Sequence, residues 1–393
     1  MKYGKVAAGE VPGLEWARLG DTLLCWTEDD DRWPAGLALE EPAAQAPGLY
    51  LVTQVGRLFQ RAHPDIPVLV DKGRYLVVGP DPERAGAVPS REDVCYRMRP
   101  LTGGTTVYRT VTPARRAPDP AVRDLVKLVD EDAYRANLQA LVALGTRHSL
   151  SPAFRTAAEQ ARDLLHGLGY ATSLVPITVG SGSSLNVVAE RAGEGAEPRG
   201  RVLVTAHIDS VNAVDGPAAS APGADDNGSG AAGLLELARV FSGRRTGHDL
   251  CLILFGGEEQ GLFGSRQYVK ALARADRDRI RAVINMDMIG TLNTPAPTVL
   301  LEGSETSRAL IDDLAAAAAT YTSLAVQTSL HPFASDHVPF IDASIPAVLT
   351  IEGADRGNGN VHTANDTLAH IDYGLALEIV RMNVAAAAAL AEV

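Results

Sequence analysis

Charged and imidazole side chains follow three apolar segments of this chain, and each segment has the composition of a buried strand. His207 and Asp209 come after RVLVTA, Glu258 and Glu259 after LCLILFGG, and Asp287 after RAVINM. The carboxyl ends of parallel strands meet at one edge of an open α/β sheet, so we expect these side chains to lie close together. Mixed imidazole and carboxylate ligands suit borderline cations such as Zn²⁺. The pattern therefore predicts a metal site at this edge.

Two other segments add ligand types to the same region, GADDNGSG at 223–230 and VHTANDT at 361–367. Carboxylates crowded together without a cation raise one another's pKa values. Two divalent cations would relieve that repulsion, and a carboxylate left unligated beside them could serve as a general base. The adjacent pair Glu258 and Glu259 offers one residue for each of these two tasks.

The elements that must position these residues alternate between strand and helix after residue 120. Spacings of three and four predict one helix over 122–144, and Ser151 with the following proline predicts the start of a second helix that ends near residue 168. This alternation predicts an α/β fold, a three-layer sandwich with a mostly parallel central sheet. Further strands are predicted at 201–208, 250–255, 281–288 and 345–351, and further helices at 228–241, 262–272, 304–320 and 371–393.

A composition break at TPARRAPDP, residues 112–120, is typical of a linker. It predicts two domains, 1–117 and 118–393. Strand-like pieces rich in β-branched and aromatic residues make the first a small β-rich or α+β domain. Such a domain could cover a cleft and limit substrate length, mediate assembly, or support folding.

Length and composition exclude several classes of protein. The chain has 393 residues, 46% hydrophobic and 21% charged, with a formal charge of −12. The apolar content argues against disorder, and the acidic balance argues against binding to nucleic acid. No secretory signal or membrane-spanning run is visible, which favours a cytoplasmic location, or a secreted one if the chain is a trimmed mature form. Three distant cysteines, Cys25, Cys95 and Cys251, make a disulfide framework improbable.

Six motifs taken in order resemble the co-catalytic zinc aminopeptidases of peptidase family M28, which include the bacterial leucyl-type aminopeptidases. The resemblance covers roughly residues 125–393. The motifs are AHIDS, GADDNGSG, GGEEQGLFGS, NMDMIG, SDHVPF and VHTANDT.

The resemblance implies two Zn²⁺ per chain and a role for each matched residue. His207 and Asp287 would bind one zinc ion, Glu259 and His362 would bind the other, and Asp226 would bridge both. The peptide bond after Asp226 would be cis. Asp209 would orient the imidazole of His207.

The same resemblance implies hydrolysis of the N-terminal peptide bond of peptides with a free amino terminus. A bridging, zinc-activated water would attack the carbonyl, with Glu258 as general base. Some relatives carry a tyrosine before the last metal histidine as oxyanion donor, whereas this chain has Val361. His337 is the substitute donor to test, and Tyr321 is a more remote one.

Other functions on the same scaffold stay open at this point. These are a carboxypeptidase-like hydrolase, a single-zinc glutaminyl cyclase-like enzyme and a non-catalytic binding protein.

Two weaker motif matches are set aside. The sequence GSGAAG at 228–233 does not follow a strand end, so it lacks the dinucleotide-binding context, and its glycines predict close helix packing. The consecutive Ser335, Asp336 and His337 cannot generally form a catalytic triad. Oligomeric state and residue preference are not predicted.

Overall fold

The computed structural model of the protein describes residues 1–6, 11–55, 57–89 and 96–393. Cys95 lies outside these ranges, and Cys25 and Cys251 are buried free thiols. The strands are β1 Lys2–Val6, β2 Glu15–Leu19, β3 Thr22–Thr27, β4 Ala44–Gln45, β5 Tyr50–Gln54, β6 Val68–Lys72, β7 Tyr75–Val78, β8 Tyr96–Pro100, β9 Thr105–Val111, β10 Ala171–Val179, β11 Gly182–Arg191, β12 Arg201–His207, β13 Asp249–Phe255, β14 Ile280–Met286, β15 Thr298–Glu302, β16 Ala325–Ser329 and β17 Ala347–Glu352. The helices are α1 Leu58–Ala62, α2 Pro82–Gly86, α3 Pro120–Val126, α4 Glu131–Val142, α5 Pro152–Gly167, α6 Gly230–Phe241, α7 Phe263–Ala271, α8 Arg274–Asp278, α9 Arg308–Tyr321, α10 Val338–Asp342 and α11 Tyr373–Ala391.

The centre of the molecule is a sheet that has, within the described residues, 13 strands in the order β10-β11-β13-β12-β14-β17-β15-β16-β9-β2-β3-β1-β4. The run β13-β12-β14-β17 is parallel, and antiparallel strands flank it on both sides. Helices cover both faces of this region, which confirms the predicted α/β sandwich with a mostly parallel core.

Strand β12 shows why its sequence is an almost unbroken apolar run. Val202 and Val204 face the core beneath α6 and α11, whereas Leu203 between them faces a second core under α7 and α10. A parallel strand with helices on both faces has no solvent side, so neither set of alternate positions is polar.

The N-terminal segment joins the same sheet. Strands β1 to β4 and β9 extend it through the pairing of β9 with β16, in which Val111 lies opposite Val326. A separate antiparallel sheet, β6-β7-β5-β8, packs on this extension, with Leu51 and Val77 in one apolar cluster with Leu300. The division of the chain at 117/118 stays a prediction.

The prediction of one helix over 122–144 is wrong, because α3 ends at Val126 and α4 begins at Glu131. The break has a local cause. Asp130 caps α4 by accepting a hydrogen bond from the Ala133 N–H, and its own N–H donates to Glu236 at 2.7 Å. The predicted start of α5 at Ser151 is confirmed by its hydrogen bond from the Phe154 N–H.

Glycines at the start of α6 allow the predicted close packing. A Cβ atom at Gly230 would lie 2.5 Å from the carbonyl oxygen of Met286.

Among the described residues one helix, α11, is long and apolar enough to cross a membrane, because an 18-residue stretch of it has a mean hydropathy of 1.5. However, 72% of that stretch is buried inside the protein, where α11 packs against α3, α6 and α9.

Candidate metal centre

Three neighbouring parallel strands deliver the predicted side chains to one edge of the sheet. His207 is the last residue of β12, which lies between β13 and β14. Its Nε2 atom lies 3.3 Å from Oδ1 of Asp287, which follows β14, and 4.0 Å from Oε2 of Glu258, which follows β13. The geometry therefore brings together residues that are 80 positions apart in the sequence.

Asp226 lies between the two histidines. Its Oδ1 atom is 3.3 Å from Nε2 of His207, and its Oδ2 atom is 3.0 Å from Nε2 of His362. Glu259 completes the second side, with its Oε2 atom 2.9 Å from the same His362 nitrogen. One carboxylate thus contacts both imidazoles, while Asp287 contacts the first of them and Glu259 the second.

The loop before α6 holds Asp226 in place through contacts that the sequence pattern does not predict. The Asp226–Asn227 peptide bond is cis, as the resemblance implied. The carboxylate of Asp366 accepts hydrogen bonds from the N–H groups of Asp225 and Asp226, both at 2.9 Å. The side chain of Asn227 donates to the carbonyl of Met286 at 3.0 Å, which ties the loop to β14.

Asp209 connects the first histidine to the Glu258–Glu259 turn. Its Oδ1 atom lies 3.6 Å from Nδ1 of His207, and its carbonyl oxygen lies 3.2 Å from the same nitrogen. Its carboxylate also accepts hydrogen bonds from the N–H groups of Glu258 and Glu259, at 3.4 and 3.2 Å. One buried side chain therefore orients both an imidazole and the turn that carries two of the carboxylates.

His337 and Tyr321 occupy different positions from the other predicted residues. His337 is buried, with Nε2 3.5 Å from Oε1 of Glu302, and it is not among the described residues that line the central cavity. The hydroxyl of Tyr321 accepts a hydrogen bond from the N–H of Asp119. A role for His337 as oxyanion donor stays a prediction.

The N-terminal segment supplies part of the cavity wall, and covering a cleft was one of the three roles that its sequence left open. The cavity has a volume of about 120 Å³, and Val55 and Arg74 line it together with the predicted ligands. Arg74 is buried and donates to both carboxylate oxygens of Glu302, at 2.9 and 3.0 Å, and to Asp355 at 3.4 Å. It lies in a turn far from every motif, so no spacing could have marked it.

The donor set fits zinc. Burial lowers the pKa of His207, but the carboxylates of Glu258 and Asp287 outweigh burial and hold this pKa well above its ordinary value. His362 has a raised pKa for the same reason, because Glu259 and Asp226 outweigh burial. Burial and the charge of Asp226 together raise the pKa of Glu259 to about 7. Divalent cations would replace the protons that these carboxylates attract.

Two further observations support this fit. Oε1 of Glu259 is buried and has no hydrogen-bond partner among the described residues, so an acceptor is free to bind a cation. Imidazole nitrogens and carboxylate oxygens of His207, Glu258 and Asp287 lie within 4.8 Å of one another, as do those of His207, Asp226 and Glu259, so the cluster is compact enough to hold cations.

The fold and the site together define an α/β sandwich in which two histidines and several carboxylates, one of them in contact with both imidazoles, meet at one edge of the central sheet. The model of Peptidase family M28 matches residues 186–387, about half of the chain, and the chain belongs to that family. The matched region contains every predicted ligand.

Two curated relatives show how far the likeness extends. Aminopeptidase YwaD of Bacillus subtilis is 31% identical over 192 residues, which is 48% of this chain and 41% of the relative. Leupeptin-inactivating enzyme 1 of Streptomyces exfoliatus is 29% identical over 237 residues, 58% of this chain and 50% of the relative. The chain therefore spans about half the length of these relatives, or less.

Solved structures share the fold at low identity. The LapA aminopeptidase of Legionella pneumophila has a TM-score of 0.62 and 19% identity, over 88% of this chain and 99% of that one. BSAP, a zinc aminopeptidase from Bacillus subtilis, has a TM-score of 0.58 and 18% identity over 67% of this chain and 95% of its own. A glutaminyl cyclase from Porphyromonas gingivalis has a TM-score of 0.54 and 24% identity, over 65% and 97% of the respective chains.

Proposed function

We propose that this protein is an aminopeptidase that binds two zinc ions and removes the N-terminal residue from peptides with a free amino group. Membership of family M28 and the names of its relatives support the reaction class. One observation carries the two-metal arrangement, namely that the two oxygens of Asp226 lie 3.3 and 3.0 Å from the Nε2 atoms of two different histidines.

In this proposal His207 and Asp287 hold one zinc ion, Glu259 and His362 hold the other, and Asp226 contacts both. Zinc bound there supplies Lewis acidity, which polarises the scissile carbonyl and makes water a nucleophile at neutral pH. Asp209 fixes the positions of His207 and the Glu258–Glu259 turn relative to each other through the contacts described above.

Glu258 is the proposed proton carrier. Burial raises its pKa well above the ordinary value, and the charges of Asp336 and Asp287 act in the same direction against the opposing effect of His207. Such a carboxyl group can accept a proton from the attacking water and deliver it to the leaving amine at neutral pH. The carboxylates around the cavity also attract the positively charged amino end of a peptide, which selects for exopeptidase cleavage.

The test compares leucine p-nitroanilide with its N-acetyl derivative in the zinc-loaded protein. Acetylation removes the positive charge that the cavity attracts, so we expect hydrolysis of the free-amino compound only. A glutaminyl peptide serves as a third substrate, because a cyclase releases ammonia from it and a peptidase releases glutamine. Equal hydrolysis of the acetylated compound, or ammonia release alone, would contradict the proposal.

A further inference from the structure

A second, smaller pocket adjoins the metal centre and is lined by three arginines. Its volume is about 50 Å³, and its walls include Arg57, Arg61 and Arg356. Val55 and His362 line both this pocket and the central cavity, so the two spaces share a wall. The N-terminal segment contributes Arg57, which directly precedes α1, and Arg61 in the last turn of that helix, whereas Arg356 belongs to the loop after β17.

The charge of this pocket is opposite to that of the chain as a whole. Its described lining contains no aspartate or glutamate. Asp71 lies behind the arginines, with Oδ2 3.5 Å from a terminal nitrogen of Arg57 and Oδ1 in contact with Arg356. Three guanidinium groups therefore line the pocket and two of them contact one carboxylate, in a protein with a formal charge of −12.

The arginines are held close to one another by packing. Arg356 lies over the turn between β6 and β7, where a Cβ atom at Gly73 would come within 3.0 Å of its Nε atom. Gly73 has φ of +90°, a conformation that favours glycine. Burial lowers the pKa of Arg356, and the positive charge of Arg57 lowers it further. Asp71 offsets one of the three positive charges, so the guanidinium groups that line the pocket still favour a bound anion.

We propose that this pocket binds the terminal carboxylate of a dipeptide, so that dipeptides are the preferred substrates. The proposal depends on the proposed aminopeptidase function, because it places the first residue at the metal centre. An extended peptide advances by about 3.3–3.6 Å per residue, and the second residue of a dipeptide carries the carboxylate, so this group lies one residue beyond the metal centre. The adjoining pocket shares Val55 and His362 with the central cavity and is therefore the neighbouring space that can receive it. Arginine forks match carboxylates in a bidentate geometry. The pocket volume suits a carboxylate and not a further residue.

The experiment measures kcat and KM for leucyl-leucine, leucyl-leucine amide and trileucine with the zinc-loaded protein. We expect kcat/KM for the acid to exceed that for the amide about tenfold or more, mainly through a lower KM, because the amide lacks the charge that the arginines bind. Trileucine, whose carboxylate lies one residue further on, should resemble the amide. Arg61→Gln and Arg57→Gln should each bring the ratio of acid to amide closer to one.

Arg32→Gln is the matched control, since Arg32 is an exposed arginine of the same N-terminal segment and pairs with Asp29. It should keep the ratio of the unsubstituted protein. Equal rates on acid and amide, or an acid preference that survives in both pocket variants, would overturn the proposal. Leucine p-nitroanilide separates this failure from a failure of the proposed function, because it has no carboxylate and its hydrolysis depends only on the metal centre.

Discussion

Replacing Glu258 by glutamine is expected to lower kcat about 10²–10⁴-fold while the zinc content stays unchanged. Glutamine preserves the volume of the side chain but cannot accept a proton. The Glu258 carboxylate lies 4.0 Å from Nε2 of His207, whereas the Asp287 and Asp226 oxygens approach that nitrogen to 3.3 Å, so the structure favours those two as ligands. The measurement is steady-state hydrolysis of leucine p-nitroanilide together with zinc analysis of the same sample.

Two other glutamates provide the controls for this substitution. Glu259→Gln should lose bound zinc as well as activity, because its Oε2 atom lies 2.9 Å from His362 in the proposed second ligand set. Glu305→Gln changes an exposed glutamate that pairs with Arg308 and should leave both quantities unchanged. Turnover of Glu258→Gln at the level of the unsubstituted protein would remove Glu258 from the role of base.

Replacing Arg74 by methionine is expected to lower the free energy of unfolding by about 3–5 kcal/mol. Arg74 is 5% exposed and its partner Glu302 is fully buried. Burial works to raise the pKa of Glu302, but Arg74 together with His337 outweighs burial and holds this pKa below its ordinary value. Methionine would leave Glu302 and Asp355 as buried negative charges without their cation. Urea denaturation of both proteins measures the difference.

The pH dependence of this loss has a defined sign. Because the pKa of Glu302 is lowered in the folded protein, the ion pair stabilises the fold above the ordinary carboxyl value of 4.5 and less so in more acid solution. The penalty of Arg74→Met should therefore shrink as the pH falls below about that value. Arg84→Met is the matched control, because Arg84 forms a two-point contact with the half-exposed Asp65, and such pairs contribute only about 0–1 kcal/mol. Equal losses in the two variants would contradict this account of Arg74.

The central part of the fold was predictable because its signals are local. Strands β12, β13 and β14 are short apolar runs, and each ends in polar residues that have no place in a core. The N-terminal strands were harder, since β9 pairs with β16 more than 200 positions away, as in the match of Val111 with Val326. Periodicity within one segment carries no information about which distant edge that segment will join.

The same distinction separates the parts of the site that the sequence revealed from those it did not. Six residues between His207 and His362 were assigned metal or proton roles. All six lie inside motifs whose order resembles a known family. Asp366 lies in the last of these motifs, but its hydrogen bonds to the loop of Asp226 exist only in the tertiary structure. The contacts of Arg74 with Glu302 and Asp355 likewise join segments that are far apart in the sequence. The arginine pocket combines α1 with the loop after β17, two segments that are separated by almost 300 residues. The net charge of −12 therefore gives no indication of a positively charged pocket.

The number of zinc ions bound per chain tests the central claim most directly. Metal-free protein is equilibrated with Zn²⁺, freed of unbound metal and analysed by mass spectrometry for zinc and for protein. The proposed ligand sets, which share Asp226, predict two zinc ions per chain, and His362→Ala should reduce this number to one. A single zinc ion in the unsubstituted protein, unchanged in His362→Ala, would contradict the account.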